Sequence, residues 1–385
     1  MEKLSKNTHL TKDEIVKNGS IFTPPYIVDL VYNYINDFID NETIIGDFGS
    51  GYGAFIDTFQ NTGKKCFGTE IDDKSYLFLC QHFNNITFYH ENSLIDVNRK
   101  KYAIKKNDKL IIVGNPPYND TTSQYKKGAK GTILCDDDIK SRDMGISFLK
   151  LFNKLEADYI CILHPLSYLI KKQNFNSLGE FKKNYRLLKA TIFSSKEFES
   201  IKKGNANFPV IAACYERNEA GMDYNYIENF KFDIYQNTKI FCLNDIVTID
   251  GLIPKYPSKK DSTPLQFYTQ RDMNSLMRNA TFIEGPKNNG INVTIDNLYQ
   301  YAWLYFLKEN FKVSQNAFLY GNLSPLCFNK INEPEYKNCL VSYAYNNSNL
   351  VSHFFKKEEL VKKYGQLTTN YELLYEQLQN IYYFN

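Results

Sequence analysis

Five consecutive residues, Gly114-Asn115-Pro116-Pro117-Tyr118, bring together the groups needed to hold a planar amine. They follow directly on an apolar run, Leu110-Ile111-Ile112-Val113. That places them at the carboxyl end of a buried strand, the rim where open α/β sheets bind ligands. Two prolines fix the backbone and remove two N–H groups, so the carbonyls before and between them are free to face a substrate. Asn115 adds an amide oxygen and Tyr118 a flat ring. Two acceptors for two N–H protons, beside an aromatic surface, suit an amino group carried on a heterocycle.

A second constellation lies upstream. Asp47-Phe48-Gly49-Ser50-Gly51-Tyr52-Gly53 is a glycine-rich turn between a strand-like and a helix-like run. Glycines allow positive φ and a close approach of backbone to ligand. Their alternation is not the GxGxxG dinucleotide fingerprint, and a bare glycine turn often does no more than reverse the chain. Glu70 ends the next strand-like run about 20 residues on, the usual place for a carboxylate that grips ribose hydroxyls. Turn and acid together read as a site for a nucleoside-containing cofactor with no required pyrophosphate.

These features together resemble S-adenosylmethionine-dependent DNA adenine-N6 methyltransferases of type II restriction-modification systems, in their γ arrangement. The resemblance covers about residues 20 to 216. It implies S-adenosylmethionine as cofactor, with Phe22-Thr23-Pro24-Pro25 holding the methionine carboxylate and Asp47, Gly49, Gly51 and Gly53 beneath the methionine part. Glu70 then binds the ribose with Ile71 beside it, and Asn92-Ser93 stands where the family usually has an Asp facing the cofactor adenine. Asn115-Pro116-Pro117-Tyr118 matches the catalytic motif, with Asn115 also touching the cofactor. Enzymes acting on cytosine N4 usually carry Ser where Asn115 stands, which favours adenine. The family also sandwiches the extruded base with a second aromatic residue before its last strand, a role for which Phe198 and Phe208 compete; Phe198 is preferred. Chemically, Asn115 Oδ1 and the Pro116 carbonyl would accept the two amine protons while Tyr118 stacks on the base and offsets an unstacking cost of a few kcal/mol.

Such residues need a scaffold. From about residue 24 to 216 strand-like and helix-like segments alternate. Strands are expected at Thr43 to Phe48, Lys65 to Ile71, Ile86 to Tyr89, Leu110 to Val113 and Tyr159 to His164, with helices at Tyr26 to Phe38, Ala54 to Gln60, Lys74 to Phe83 and Ile146 to Leu155. This alternation predicts an α/β fold, a doubly wound, Rossmann-like, mostly parallel sheet. Leu187 to Phe193 and Phe208 to Tyr215 follow one another without a helix and read as an antiparallel pair closing one edge. The resemblance makes this the seven-stranded methyltransferase fold. The catalytic domain is expected at residues 1–217 and a target-recognition domain at 218–385, ending in a helix-like segment from Glu358 to Tyr382.

Composition bounds the remaining possibilities. The chain has 385 residues, 43% of them hydrophobic, enough for a large core and for two domains. Net charge is only +3, so binding to a polyanion needs locally concentrated charge. Lys126, Lys127 and Lys130 lie just past the aromatic cradle, in a long loop from Asn119 to Gly145, and are candidate DNA-phosphate contacts. The acidic Asp136-Asp137-Asp138 of that loop is expected to face solvent. The 8 cysteines form no CxxC pair, so neither a metal site nor a disulfide framework is expected. With no apolar leader or membrane span, the protein reads as cytoplasmic. Double-stranded DNA and a separate cognate restriction endonuclease are the expected partners. The competing readings are a methyltransferase for the glutamine amide of a protein, which shares the Asn-Pro-Pro-Tyr motif, and an inactive nucleic-acid-binding protein of the same fold.

Overall fold

The computed structural model describes residues 22–118, 134–198, 207–254, 263–268, 272–279, 281–311 and 317–381. The chain divides into two compact units after Leu243. The first is built on one nine-stranded sheet: β1 Thr43–Phe48, β2 Lys65–Glu70, β3 Thr87–His90, β4 Lys109–Gly114, β5 Tyr159–Pro165, β6 Tyr185–Ser194, β7 Pro209–Arg217, β8 Phe232–Ile234 and β9 Ile240–Phe241. Their order is β3-β2-β1-β4-β5-β7-β6-β8-β9. Strands β1 to β5 run parallel to one another, and β7 runs antiparallel between β5 and β6.

Helices complete the winding. α1 Pro25–Ile35 precedes β1, α2 Ala54–Phe59 and α3 Asp73–His82 follow β1 and β2, and α4 Met144–Lys154 links β4 to β5. Short helices α5 Ser167–Ile170, α6 Lys172–Ser177 and α7 Phe181–Asn184 lead into β6, and α8 Tyr224–Asn229 into β8. Every residue of β1 is buried, as expected of a strand covered on both faces. Period-two alternation sends Ile45, Ile111, Val113 and Leu163 to one face, where Ile27, Val28, Val31 and Ile35 of α1 cover them. On the other face Phe48 meets Phe67 and Tyr102 edge-on and Phe152 of α4 at a tilt. Because β1 lies between β2 and β4, the winding direction reverses there. Ligands bind at such switch points, off the carboxyl ends of the strands.

The fold class and the strand and helix positions agree with the sequence reading, with two departures. The sheet has nine strands rather than seven, so the antiparallel β6–β7 pair does not close its edge. β8 pairs with β6 through Thr191↔Asp233 and Ile192↔Ile234, and β9 pairs with β8. The division between units accordingly falls after Leu243 rather than after Arg217. These added strands have only three and two residues, too short to show alternation in sequence.

The second unit carries a three-stranded antiparallel sheet with β10 Leu265–Tyr268 between β11 Phe282–Glu284 and β12 Gly290–Asn292. Among the described residues six helices accompany it: α9 Met273–Asn279, α10 Leu298–Asn310, α11 Pro334–Asn347, α12 Asn349–Phe354, α13 Lys357–Tyr364 and α14 Glu372–Ile381. Trp303 of α10 is completely buried and donates its Nε1–H to the Leu326 carbonyl at 2.8 Å. The continuous helix expected from Glu358 to Tyr382 is instead two helices. Gly365 ends α13 at φ +89°, and the Asn338 amide donates to the carbonyls of Tyr364 and Gln366, satisfying the broken end.

Phe48 ties the aromatic layer to the strand that carries the glycine turn. Phe48→Ala should lower unfolding free energy by about 3–5 kcal/mol, measured by urea denaturation; a loss under about 1 kcal/mol would show that this layer does not hold the rim.

Candidate active site

The end of β1 turns through Gly49, Gly51 and Gly53, all at positive φ, into α2. The turn is pinned from β2: the Gly49 and Ser50 amides donate to the Thr69 carbonyl at 3.1 and 2.9 Å. A Cβ at Gly51 would meet nothing within 4 Å, so this glycine serves its φ of +55° and leaves its outer face open. A Cβ at Gly53, by contrast, would stand 2.7 Å from Phe83 Cε2, so this glycine admits the close packing of the segment after α3.

Glu70, at the end of β2, is nearly buried. Its Oε2 accepts from the Gly51 amide at 2.7 Å, and its Oε1 from the Ile71 and Asp72 amides, each at 2.9 Å. Burial pushes its carboxyl upward, and those three N–H donors pull the other way. Since a carboxylate offers about four acceptor positions, roughly one remains for a ligand hydroxyl. Ile71 beside it presents a largely exposed apolar side chain. One shelf further, Thr69 Oγ1 lies 2.7 Å from Ser93 Oγ and accepts from the Gly49 amide at 3.2 Å. Thr69 thus joins the ends of β1, β2 and β3, a part the sequence reading did not assign to it. A threonine in a buried strand carries no mark that separates this from ordinary strand preference.

Asn115 leaves the end of β4 beside the glycine turn. Its Nδ2 donates to Thr23 Oγ1 at 3.1 Å, while its Oδ1 is buried with no partner among the described residues. Thr23 itself is buried, with Phe22 and Pro24 half-buried around it. Pro117 packs on the glycine turn: a Cβ at Gly49 would stand 3.4 Å from Pro117 Cδ. Gly114 sits against the Asp47 carboxylate, where a Cβ would come within 2.5 Å of Oδ1. Among the described residues both Asp47 oxygens are buried without a partner, and burial together with the nearby Glu70 pushes this carboxyl up to about 8. Tyr118 has a half-buried ring and a buried hydroxyl with no partner among the described residues, and burial raises that phenol. Thr23, Asp47, Gly49, Gly51, Glu70, Ser93, Asn115 and Pro117 therefore form one connected set. It offers unpartnered acceptors, a flat ring and an open backbone turn.

Other expected site residues stand differently. Phe198 is completely buried in the core with Phe193 and Val210, so it has no free face for a base. Phe208 is only half-buried, packed against the edge of the same core. The Asn92 side chain is engaged in local structure: its Nδ2 donates to the Leu134 carbonyl at 2.8 Å and its Oδ1 accepts from the Leu94 amide at 3.0 Å. Asp136 is partly covered rather than fully exposed. It accepts from the Asp96 and Val97 amides and pairs with Lys154, clamping the segment after β3; Asp137 and Asp138 are exposed. Lys126, Lys127 and Lys130 lie outside the described residues. Among the described residues no His/Cys/Asp/Glu group of metal-binding size occurs, and no helix is long and apolar enough to cross a membrane.

No protein-family model and no curated protein matches the sequence. Solved structures resembling part of the chain include the 23S rRNA methyltransferase ErmE, at 11% identity and TM-score 0.34 over 52% of this chain and 70% of that one. Others are a TehB-like SAM-dependent methyltransferase from Corynebacterium glutamicum (14%, TM-score 0.30, 49% and 87%) and a ribosomal protein L11 methylase from Lactobacillus delbrueckii subsp. bulgaricus (16%, TM-score 0.31, 52% and 83%).

The Asp47 carboxyl has a testable linkage. Unfolded, it titrates near 3.8; folded, near 8. Between those values the folded chain keeps a proton that the unfolded chain has lost, so rising pH removes stability throughout that window. Asp47→Asn cannot titrate, so its thermal stability relative to the parent protein should grow from pH 5 to pH 8. A difference that stays constant with pH would disprove the raised carboxyl.

Proposed function

We propose that the protein transfers a methyl group from S-adenosylmethionine to the N6 amine of an adenine turned out of double-stranded DNA, as the modification partner of a separate restriction endonuclease. The observation that carries this reading is the Asn115 amide, anchored through Nδ2 on Thr23 with Oδ1 buried and unpartnered. A buried acceptor left unsatisfied costs about 1–3 kcal/mol, which an incoming N–H donor relieves and an incoming carbonyl does not. The site is therefore matched to an amine.

The rim also suits the cofactor. Asp47 offers an unpartnered carboxyl to a cationic group, Gly51 an open backbone, Glu70 one remaining acceptor position, and Ile71 an apolar surface for a flat base. S-adenosylmethionine supplies an electrophilic methyl on a sulfonium centre when bound. Asn115 Oδ1 accepts one amine proton and the Pro116 carbonyl the other, which concentrates electron density on the nitrogen. No strong base is needed, because the amine becomes acidic once alkylated and gives up its proton afterwards. Catalysis on this account is positioning plus oriented dipoles in a dry site. Tyr118 stacks on one face of the base and Phe208 supports the other. The second unit reads the DNA sequence, and Lys126, Lys127 and Lys130 contact its phosphates.

The deciding experiment incubates the protein with methyl-labelled S-adenosylmethionine and either duplex DNA or polypeptide. Label should appear as N6-methyladenine at one sequence context. Label in polypeptide glutamine alone would overturn the proposal, as would cofactor binding with no transfer to either. Asn115→Ala should slow transfer by about 10²-fold or more, by analogy with the removal of other preorganised catalytic dipoles, while cofactor affinity changes little. Loss of both together would overturn the assignment of Asn115. Replacing Lys126, Lys127 and Lys130 by Ala should flatten the salt dependence of DNA binding by up to about 0.9 in slope per lost phosphate contact. An unchanged slope would exclude those contacts.

A further inference from the structure

We infer that Gly145 is a positioning residue that sets where Tyr118 stands, an inference that rests on the adenine-transfer reading. Gly145 is buried in the first turn of α4. It does not lie in the left-handed region, so backbone conformation does not require a glycine. Space does. A Cβ there would come 2.5 Å from Tyr168 Oη, 2.9 Å from Tyr118 Cβ and 3.0 Å from Tyr168 Cε2. Contacts this short force a neighbour to move, and the surroundings decide which one.

Tyr168 is locked. It is 1% exposed, and its ring stacks on His164 at 5.3 Å between centroids and 11° between planes. His164 is itself completely enclosed and hydrogen bonded through Nε2 to the Tyr215 hydroxyl at 2.6 Å. The Tyr168 hydroxyl donates to Asp143 Oδ1, the same oxygen that caps α4 by accepting the Gly145 amide at 3.1 Å. Moving Tyr168 would therefore disturb a stack, a cap and a helix start together. Tyr118 has no such anchor, because its hydroxyl finds no partner among the described residues. The bare Cα of Gly145 lies against Tyr118 Cβ, the root from which that ring projects. The hydrogen atom at position 145 thus fixes the depth of the aromatic face next to Asn115. His164, Tyr168 and Asp143 act through it as a rigid backing.

The test uses the full-length protein with Gly145→Ala, Tyr168→Phe and the double variant. Gly145→Ala should bind S-adenosylmethionine within about twofold of the parent by calorimetry. Its single-turnover transfer to adenine should fall about tenfold or more, since sub-ångström misplacement of a positioning group acts on rate. In the Gly145→Ala background, Tyr168→Phe removes the nearest obstructing atom and should restore part of that rate, leaving it about threefold below the parent because Tyr118 Cβ still obstructs. If Gly145→Ala alone does not fold, the double variant is compared with Tyr168→Phe, and a rate within about twofold of that variant overturns the proposal. A Gly145→Ala rate within about twofold of the parent overturns the proposal, and so does a double variant no faster than the single one. A crystal structure of the variant gives a readout independent of substrate: Tyr118 should be displaced by several tenths of an ångström, and an unmoved ring overturns the inference. Absence of adenine methylation by the parent protein would instead refute the reading of its function, leaving the crystallographic comparison to decide the role of Gly145.

Discussion

The parallel register of β1 on β4 is the constraint from which the rim follows. It pairs Asp47 with Val113, so the residues that leave both strands at their carboxyl ends emerge side by side. The Asp47 carboxylate then lies against Gly114, and the Gly49 turn against Pro117. A slip of one residue would exchange the faces of a whole strand. That slip is opposed on both sides at once, by the aliphatic contacts of α1 and by the Phe48, Phe67, Tyr102 and Phe152 rings. A strongly determined interior is what allows polar atoms on Asp47, Asn115 and Tyr118 to remain buried and unpartnered at its edge.

Two kinds of contact tie the rim together. Polar ones run through Thr69 from the Gly49 amide to Ser93, and from Thr23 to Asn115. The others are steric and depend on missing Cβ atoms at Gly114 and Gly145. None of these contacts uses a long, flexible side chain. The site is therefore stiff before any ligand arrives, which suits chemistry done by placement rather than by a strong acid or base.

The central part of the fold was legible because its signals are local. Leu110 to Val113 is a continuous apolar run, and Pro25 opens α1 at the position where proline is tolerated. Asn115, Pro116, Pro117 and Tyr118 stand out in the sequence because few other roles need these residue types in succession, and they follow directly on the end of β4. What escaped was non-local. Phe198 and Phe208 look alike in sequence, and only packing distinguishes the enclosed ring from the half-covered one. Asn92 could have faced a ligand until the return of the chain at Leu134 claimed its amide. Gly145 carries no turn signal because its need is for space, and space is defined by Tyr168, more than twenty residues further along.

The short β8–β9 hairpin bears on how the first unit can be handled in isolation. β8 covers the outer edge of β6 at Thr191 and Ile192, and the Tyr235 amide adds a bond to the Ile192 carbonyl. A fragment cut after Arg217 would bare that edge and leave its N–H and C=O groups open to strands from other molecules, the usual start of aggregation. A fragment carried through to Leu243 keeps the edge of β6 covered and ends the sheet on the short β9, so solubility would turn on about two dozen residues.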